Sequence, residues 1–331
     1  MVRRGNRRIR RLVLPCVAGI LAIGTSTTHA SLISFDPDGT QTANGPLSVS
    51  SFEYLPGNLL LKNGIQSVSI GSSYTTDVYF HAKLGQLLDA NSHPLAINNF
   101  LGSSTSPTAF ELTAVAQFSA SVKRISSTSY AVSLTTGSVA AFNIYYDTDS
   151  TKRANDLTGE GFGDGTAILT GTVSDVAASS FRLSGAGGAM DQFGGVDNYS
   201  GITATTVAGH LNLSVDVQSQ DTNFFQNGAA LTSMTFESNL RSPFNAVDPS
   251  QNFRSVDSHN TLVQPTFVSN NDGTAGGDLQ LQSSSNSALF TMGSPVPEPG
   301  SVAVFLTLAG LYYVRNRRHQ KSPHIRQVDK R

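Results

Sequence analysis

"YTTDVYFHAKL", Tyr74 to Leu84, alternates without a break: Tyr74, Thr76, Val78, Phe80, Ala82 and Leu84 fall on one side of an extended chain, Asp77, His81 and Lys83 on the other. Side chains of a strand point alternately to its two faces, so this pattern predicts a β-strand with one face in a core and one in solvent. "FELTAVAQF" repeats the device. Phe110, Leu112, Ala114, Ala116 and Phe118 oppose Glu111, Thr113 and Gln117. "LNLSVDV" does so again with Leu211, Leu213, Val215 and Val217.

Weaker strands are expected at Leu47 to Tyr54, Ile65 to Ile70, Tyr130 to Leu134, Val139 to Tyr146, Ala167 to Val173 and Leu231 to Glu237. Turn-forming pairs such as Asn63-Gly64 and Asn227-Gly228 separate them, and no window holds an apolar stripe at helical spacing. About ten two-faced strands predict an all-β fold, an antiparallel β-sandwich of jelly-roll-like type with long Ser/Gly/Asn-rich loops. Ser184 to Ser200 and Val268 to Asn286 are poor in apolar residues, and the second reads as a flexible stalk.

Outward from this body the two ends differ from it. Residues 1–30 carry six Arg and no acid, then an apolar stretch from Leu12 to Ile23, then Thr28-His29-Ala30. This is the layout of a secretory signal peptide cut by signal peptidase after Ala30. Cys16, the single cysteine, lies inside that stretch, so an exported chain would have no disulfide to stabilise it. Residues 31–294 hold nine Lys or Arg against 21 Asp or Glu, and residues 295–331 hold seven basic against two acidic residues. A body of charge −12 repels nucleic-acid phosphates, which excludes a nucleic-acid partner.

The C-terminal run begins "PVPEPGS" at 295 to 301. Gly300 to Val314 is apolar, about 22 Å long as a helix and short of the roughly 30 Å hydrocarbon slab. Arg315, Arg317, Arg318 and Lys321 follow as a cytoplasmic stop. The expectation is a marginal C-terminal transmembrane helix whose two prolines hold Glu298 extended at the membrane face. The organisation read from the chain is therefore a signal peptide at 1–30, a β-sandwich at 31–267, a linker at 268–294 and a sorting tag at 295–331.

Pro297-Glu298-Pro299, the weak apolar segment and the Arg cluster together resemble the PEP-CTERM sorting signal of Gram-negative bacteria. That resemblance implies processing by an exosortase near the Pro-Glu-Pro, transient anchoring in the inner membrane, and delivery to the cell surface or extracellular matrix. The tail from Asn316 to Arg331 is longer than such tags usually have. Within the body, "SFDPDG" at 34–39, "EYLPGNLL" at 53–60, "YYDTDS", "GFGDGTAILTGTV", "DTNFF" and "SPFNAVDPSQNF" at 242–253 resemble the flocculation-associated proteins of that class. The likeness implies a role in cell aggregation beside exopolysaccharide and carries no catalytic residue.

The residues themselves point away from known chemistry. His81, His93, His210 and His259 have no partner at zinc-ligand spacing, and His81 reads as a solvated strand residue. Gly-x-Ser-x-Gly, His-Glu-x-x-His and phosphate loops are absent. No Trp offers a sugar platform. One constellation deserves weighing: Asp147, Asp149, Asp156, Glu160 and Asp164 crowd a Gly-rich loop and could cradle Ca²⁺, although Lys152 and Thr158 break the EF-hand pattern. Three functions follow as expectations: a non-enzymatic matrix or flocculation protein, a Ca²⁺-dependent glycan- or protein-binding module, and an envelope hydrolase.

Overall fold

The inward half of the alternation of Tyr74 to Leu84 is met: Tyr74, Thr76, Val78, Phe80, Ala82 and Leu84 are all buried, while of the outward residues Asp77 is exposed and His81 is buried. In the computed structural model the first six face the inside of one large antiparallel sheet. The structure describes residues 32–40, 44–101, 109–135, 140–226, 230–256, 261–267, 270–271 and 277–292. Among these the chain is all-β, with no helix.

The strands are β1 (Ile33–Phe35), β2 (Leu47–Val49), β3 (Ser51–Tyr54), β4 (Gly57–Leu61), β5 (Ser73–Leu88), β6 (Glu111–Arg124), β7 (Ser129–Leu134) and β8 (Ala140–Asp147). They continue as β9 (Thr166–Asp175), β10 (Ser179–Ala189), β11 (Thr203–Gln220), β12 (Leu231–Ser242), β13 (Phe253–Arg254), β14 (Leu262–Val263), β15 (Asn270–Asn271) and β16 (Leu279–Met292).

Three pairs of these are single lines with an interruption. β3 and β4 pair consecutive stretches of β16, from Leu289↔Ser51 to Leu279↔Leu61, running the same way. β8 and β7 do the same along β6, and β9 and β10 along β11. With these merged, spatial order follows chain order: β3/β4, β5, β6, β7/β8, β9/β10, β11, β12, β16, and β16 pairs back onto β3 and β4. Each neighbour is antiparallel, so the sheet closes on itself and leaves the main ring without a free edge.

The two faces packed across the core, as in a sandwich, are therefore halves of one continuous sheet. Its meander order replaces the jelly-roll crossovers expected from the sequence. Phe52, Phe80, Phe118, Phe142, Phe236 and Phe290 fill the interior, all buried. Phe80 and Phe142 both pack on Phe236, at centroid distances of 5.0 and 5.5 Å. β1, bridged through Phe35 to Phe225, lies at the pole where β16 ends with Met292 opposite Leu231.

Two further expectations are corrected. The stretch from Ile65 to Ile70 is not a strand; Ile65 is buried but Ile70 is 63% exposed. The stalk placed at 268–294 instead contains β16, which pairs β12 on one side and β3 and β4 on the other. Its Leu279, Leu281, Ala288 and Phe290 enter the core. The body thus runs to residue 292, and residues 268–269, 272–276 and 293–294 of the expected linker lie outside the described residues.

Candidate functional site

The outward faces of β4, β5, β6 and β16 carry polar residues that a solvated sheet would show to water. Here they are covered by two long connections, residues 148–165 and the described residues between β12 and β16, which carry the short strands β13 to β15. Asn58, His81, Glu111, Thr113, Gln280 and Gln282 are all buried. Burial of polar groups is tolerated where they find hydrogen bonds, and the covering backbone supplies many of them, although His81 Nε2, Glu111 Oε2 and Gln280 Oε1 have none among the described residues. Thr113 Oγ1 donates to the carbonyl of Phe162 at 2.7 Å. Gln117 Oε1 accepts from Val256 N–H at 2.8 Å. Gln282 Oε1 accepts from the N–H groups of Asn245 and Ala246, both at 2.8 Å. Asn58 Oδ1 accepts from Ser250 N–H at 3.0 Å.

His81, expected in solvent, is stacked on Phe162 and Phe253 at centroid distances of 4.0 and 4.8 Å. Burial, with Lys83 nearby, lowers its pKa to about 3, so it is neutral at ordinary pH. Its Nε2 has no hydrogen-bond partner among the described residues. Lys83 pairs with Asp156, whose own pKa is raised by burial against the pull of that ammonium. Glu111, also raised by burial, accepts from Ala154 N–H at 2.8 Å.

The five carboxylates weighed for Ca²⁺ are dispersed by this arrangement. Asp147 lies opposite Glu111 in the sheet and accepts from Asp149 N–H at 2.7 Å. Asp149 accepts from the Thr151 hydroxyl and N–H and meets Lys152 at 3.5 Å. The Thr151 hydrogen bonds hold its carboxyl below the usual range. Asp156 turns inward to Lys83, and only Glu160 and Asp164 reach a common pocket. Among the described residues, no three of His, Cys, Asp or Glu gather where one cation could hold them.

That pocket, of about 350 Å³, lies between the first loop and Arg254 and is lined by Lys152, Arg153 and Arg254 together with Asn155, Glu160 and Asp164. Of these, Lys152 is paired with Asp149, and Arg153 donates to the carbonyls of Asp147 and Ala109. Glu160 and Asp164 are both exposed, without the dry surroundings that turn a carboxylate into a general acid. Arg254 comes from β13, in the second covering connection. From the sequence alone, ninety residues separate it from Asp164 and nothing joins them.

On the opposite wall, β9 to β12 with β16, the start of β11 is covered, Ala204 packing with Met190, Phe244 and Val247 and β15 pairing Thr203 and Ala204. Its outward residues line up across strands: His210 with Asn239 and Ser284, Asn212 with Glu237 and Ser287, Asp216 with Ser233 and Thr291. Ser174 Oγ donates to Asp216 Oδ1 at 3.1 Å, and Thr170 and Ser219 hydroxyls meet at 2.7 Å. A shallow cleft of about 230 Å³ opens among His210, Asn212, Glu237, Asn239 and Ser285. Side chains of this kind donate and accept hydrogen bonds as sugar hydroxyls do.

The remaining expected site residues, Pro297, Glu298, Pro299, Arg315, Arg317 and Arg318, lie outside the described residues, as does His259. No helix among the described residues is long and apolar enough to cross a membrane. Compared with family models, curated proteins and solved structures, the chain matches none.

Proposed function

We propose that this chain is an exported, non-enzymatic surface or matrix protein that promotes cell aggregation or biofilm formation together with exopolysaccharide. In this reading signal peptidase removes residues 1–30, and Gly300 to Val314 serves as an undersized membrane helix stopped by Arg315, Arg317 and Arg318. An exosortase then cuts near Pro297-Glu298-Pro299.

The observation that carries the proposal is the tag, in which a proline-held acidic residue, a short apolar segment and a basic cluster occur in that order. The geometry of the body supports it. The chain enters through β1 and leaves through β16 at one pole of the barrel, so an anchor after Met292 would leave the side walls facing outward. One of those walls presents rows of Ser, Thr, Asn and Asp.

The test is deletion of residues 297–331 in cells that make the protein, followed by intact mass measurement of what each strain accumulates. The expected result is a cut near Ala30 and a second near Pro297 in the full chain, with display and floc size reduced by the deletion. Unchanged display and unchanged flocs would refute the proposal.

A further inference from the structure

We propose that Lys83 and Asp156 condense, without any added enzyme, into an isopeptide bond between Lys83 Nζ and Asp156 Cγ that staples the first covering loop to the barrel wall. The inference concerns the body alone and does not depend on the export reading above.

The two side chains reach each other from different layers. Lys83 stands on the outward face of β5, Asp156 lies 73 residues further along the chain in the loop 148–165, and Nζ and Oδ2 form an ion pair. Asp156 Oδ1 is buried and has no hydrogen-bond partner among the described residues. The pair of Lys62 with Asp278 differs in this respect. There the N–H groups of Asn63 and Thr266 donate to Asp278 Oδ1 and Oδ2 at 2.8 and 2.7 Å, so both oxygens are already committed.

A second carboxyl stands beside the first pair. Thr113 is the register partner of Lys83, so Glu111, two residues before it on β6, is diagonal to Lys83 on the same face. Diagonal neighbours lie about 7 to 8 Å apart, within reach of long side chains. Glu111 Oε1 accepts from the N–H of Ala154, two residues before Asp156, at 2.8 Å. Its Oε2 is buried without a partner among the described residues. Val115, Ala154 and Phe162 form an apolar cluster under the same cover.

An ammonium facing a carboxylate in water does not condense, because the reacting forms are the neutral amine and the neutral acid. Burial shifts that balance, and it raises the pKa of both Asp156 and Glu111. Lys83 passes a proton to Asp156, and the freed Nζ lone pair attacks Asp156 Cγ. Glu111, as the neutral acid, gives a proton to the departing hydroxyl and recovers one from the nitrogen, directly or through one water. One C–N bond forms, one C–O bond breaks and one water leaves, with no oxidant or activated donor. The side-chain exposure that remains, 24% for Lys83 and 16% for Asp156, is the opening by which that water departs. Until the bond forms, the two groups remain a titratable ion pair. The chain's single cysteine, Cys16, allows no disulfide within it, and an amide across this span restricts the unfolded chain as a disulfide would.

The test is intact mass measurement and tryptic mapping of the purified full-length chain. The wild type is expected to weigh one water less than its mapped residues. It should yield a branched peptide joining residues 63–123, in which Lys83 resists trypsin, to residues 154–182. Lys83→Arg keeps the charge pair but cannot form this bond, so it should show the full mass and melt lower by about 10 °C. Glu111→Gln keeps an acceptor for Ala154 N–H but has no acidic proton, and it should leave most of the chain unlinked. Full mass in the wild type, or a water lost with no branched peptide, would overturn the inference. Complete linkage in Glu111→Gln would overturn the part given to Glu111.

Discussion

His81 lies almost parallel to Phe162, with 19° between the ring planes and 4.0 Å between the centroids. An imidazole held this way, buried and with Lys83 nearby, is kept neutral because a charge there would be neither solvated nor paired. The ring therefore reports how firmly the first covering loop is seated.

The sign of its pH effect follows from its folded pKa of about 3, below the ordinary 6.5. Between those values the unfolded chain binds a proton that the folded chain refuses. Stability from this group is complete above pH 6.5 and falls by about 1.4 kcal/mol per pH unit as pH drops toward 3. Glu111 and Asp156, raised by burial, act the other way, favouring the fold in acid and losing that contribution as pH rises through their folded pKa values. Replacing His81 with Phe should remove the first effect and spare the second. Urea unfolding at pH 7, 6, 5 and 4 is expected to show the wild type losing stability relative to His81→Phe; parallel profiles would contradict the placement of His81.

Phe162 itself is fully buried, and its carbonyl is held by Thr113. Truncation to Ala leaves a void against His81 and is expected to cost about 3 to 5 kcal/mol. Because the loss is concentrated in the cover and not in the barrel, limited proteolysis should cut within residues 148–165 before the rest of the chain opens. Cleavage first in the β11 to β12 region would show that the cover is not the weaker layer.

How far the residues foretell this arrangement depends on which face of a strand is in question. Inward faces were legible, because Phe80, Phe118 and Leu213 belong to one apolar core cluster and period-two alternation states that directly. Outward faces were not. His81, Glu111 and Gln117 look like solvent residues, and only the distant loops that satisfy them explain their burial. β4 was hidden for the same reason: Gly57 to Leu61 is buried on both faces and shows no alternation. β16 was hidden by its Ser and Asn residues, since Gln280 bonds to Asn58 and Ser250, contacts across more than 200 and 30 residues of chain. The pocket needed Arg254, whose position relative to Lys152 is a property of two loops lying together and is absent from local spacing.

Gly159 is where those loops touch most closely. A Cβ at that position would overlap the Asn252 carbonyl, and φ +68° disfavours any L side chain. Neighbouring bonds, Gln251 N–H to Leu157 carbonyl at 2.7 Å and Asn252 Nδ2 to Thr158 carbonyl at 2.8 Å, would have to shift with it. Gly159→Ala is expected to cost about 2 kcal/mol or more in chemical denaturation, whereas Ala at Gly185, where nothing lies within 4 Å, should cost less. Equal losses at the two glycines would mean that backbone conformation alone, and not the contact between loops, sets the penalty.

Asp278 fixes where the body ends. Its carboxylate, almost wholly buried, accepts from Lys62 Nζ at 2.6 Å, Asn63 N–H at 2.8 Å and Thr266 N–H at 2.7 Å, just before β16 begins. It ties the end of β4 to the last strand, so Asp278→Ala leaves two N–H groups without their acceptor and the half-buried Lys62 ammonium with only the Gln264 carbonyl, and is expected to cost about 2 to 3 kcal/mol. The larger consequence concerns truncation. A chain stopped at residue 267 lacks β16, which would open the ring between β12 and β3/β4 and expose the Phe52 and Phe236 side of the core. A chain stopped at residue 294 keeps the ring intact. Expressed side by side from residue 31, the longer form is expected to be soluble with a single cooperative unfolding transition and the shorter to aggregate or to lack one. A cooperative transition in the shorter form would mean that β16 is dispensable and that the barrel does not depend on its closure.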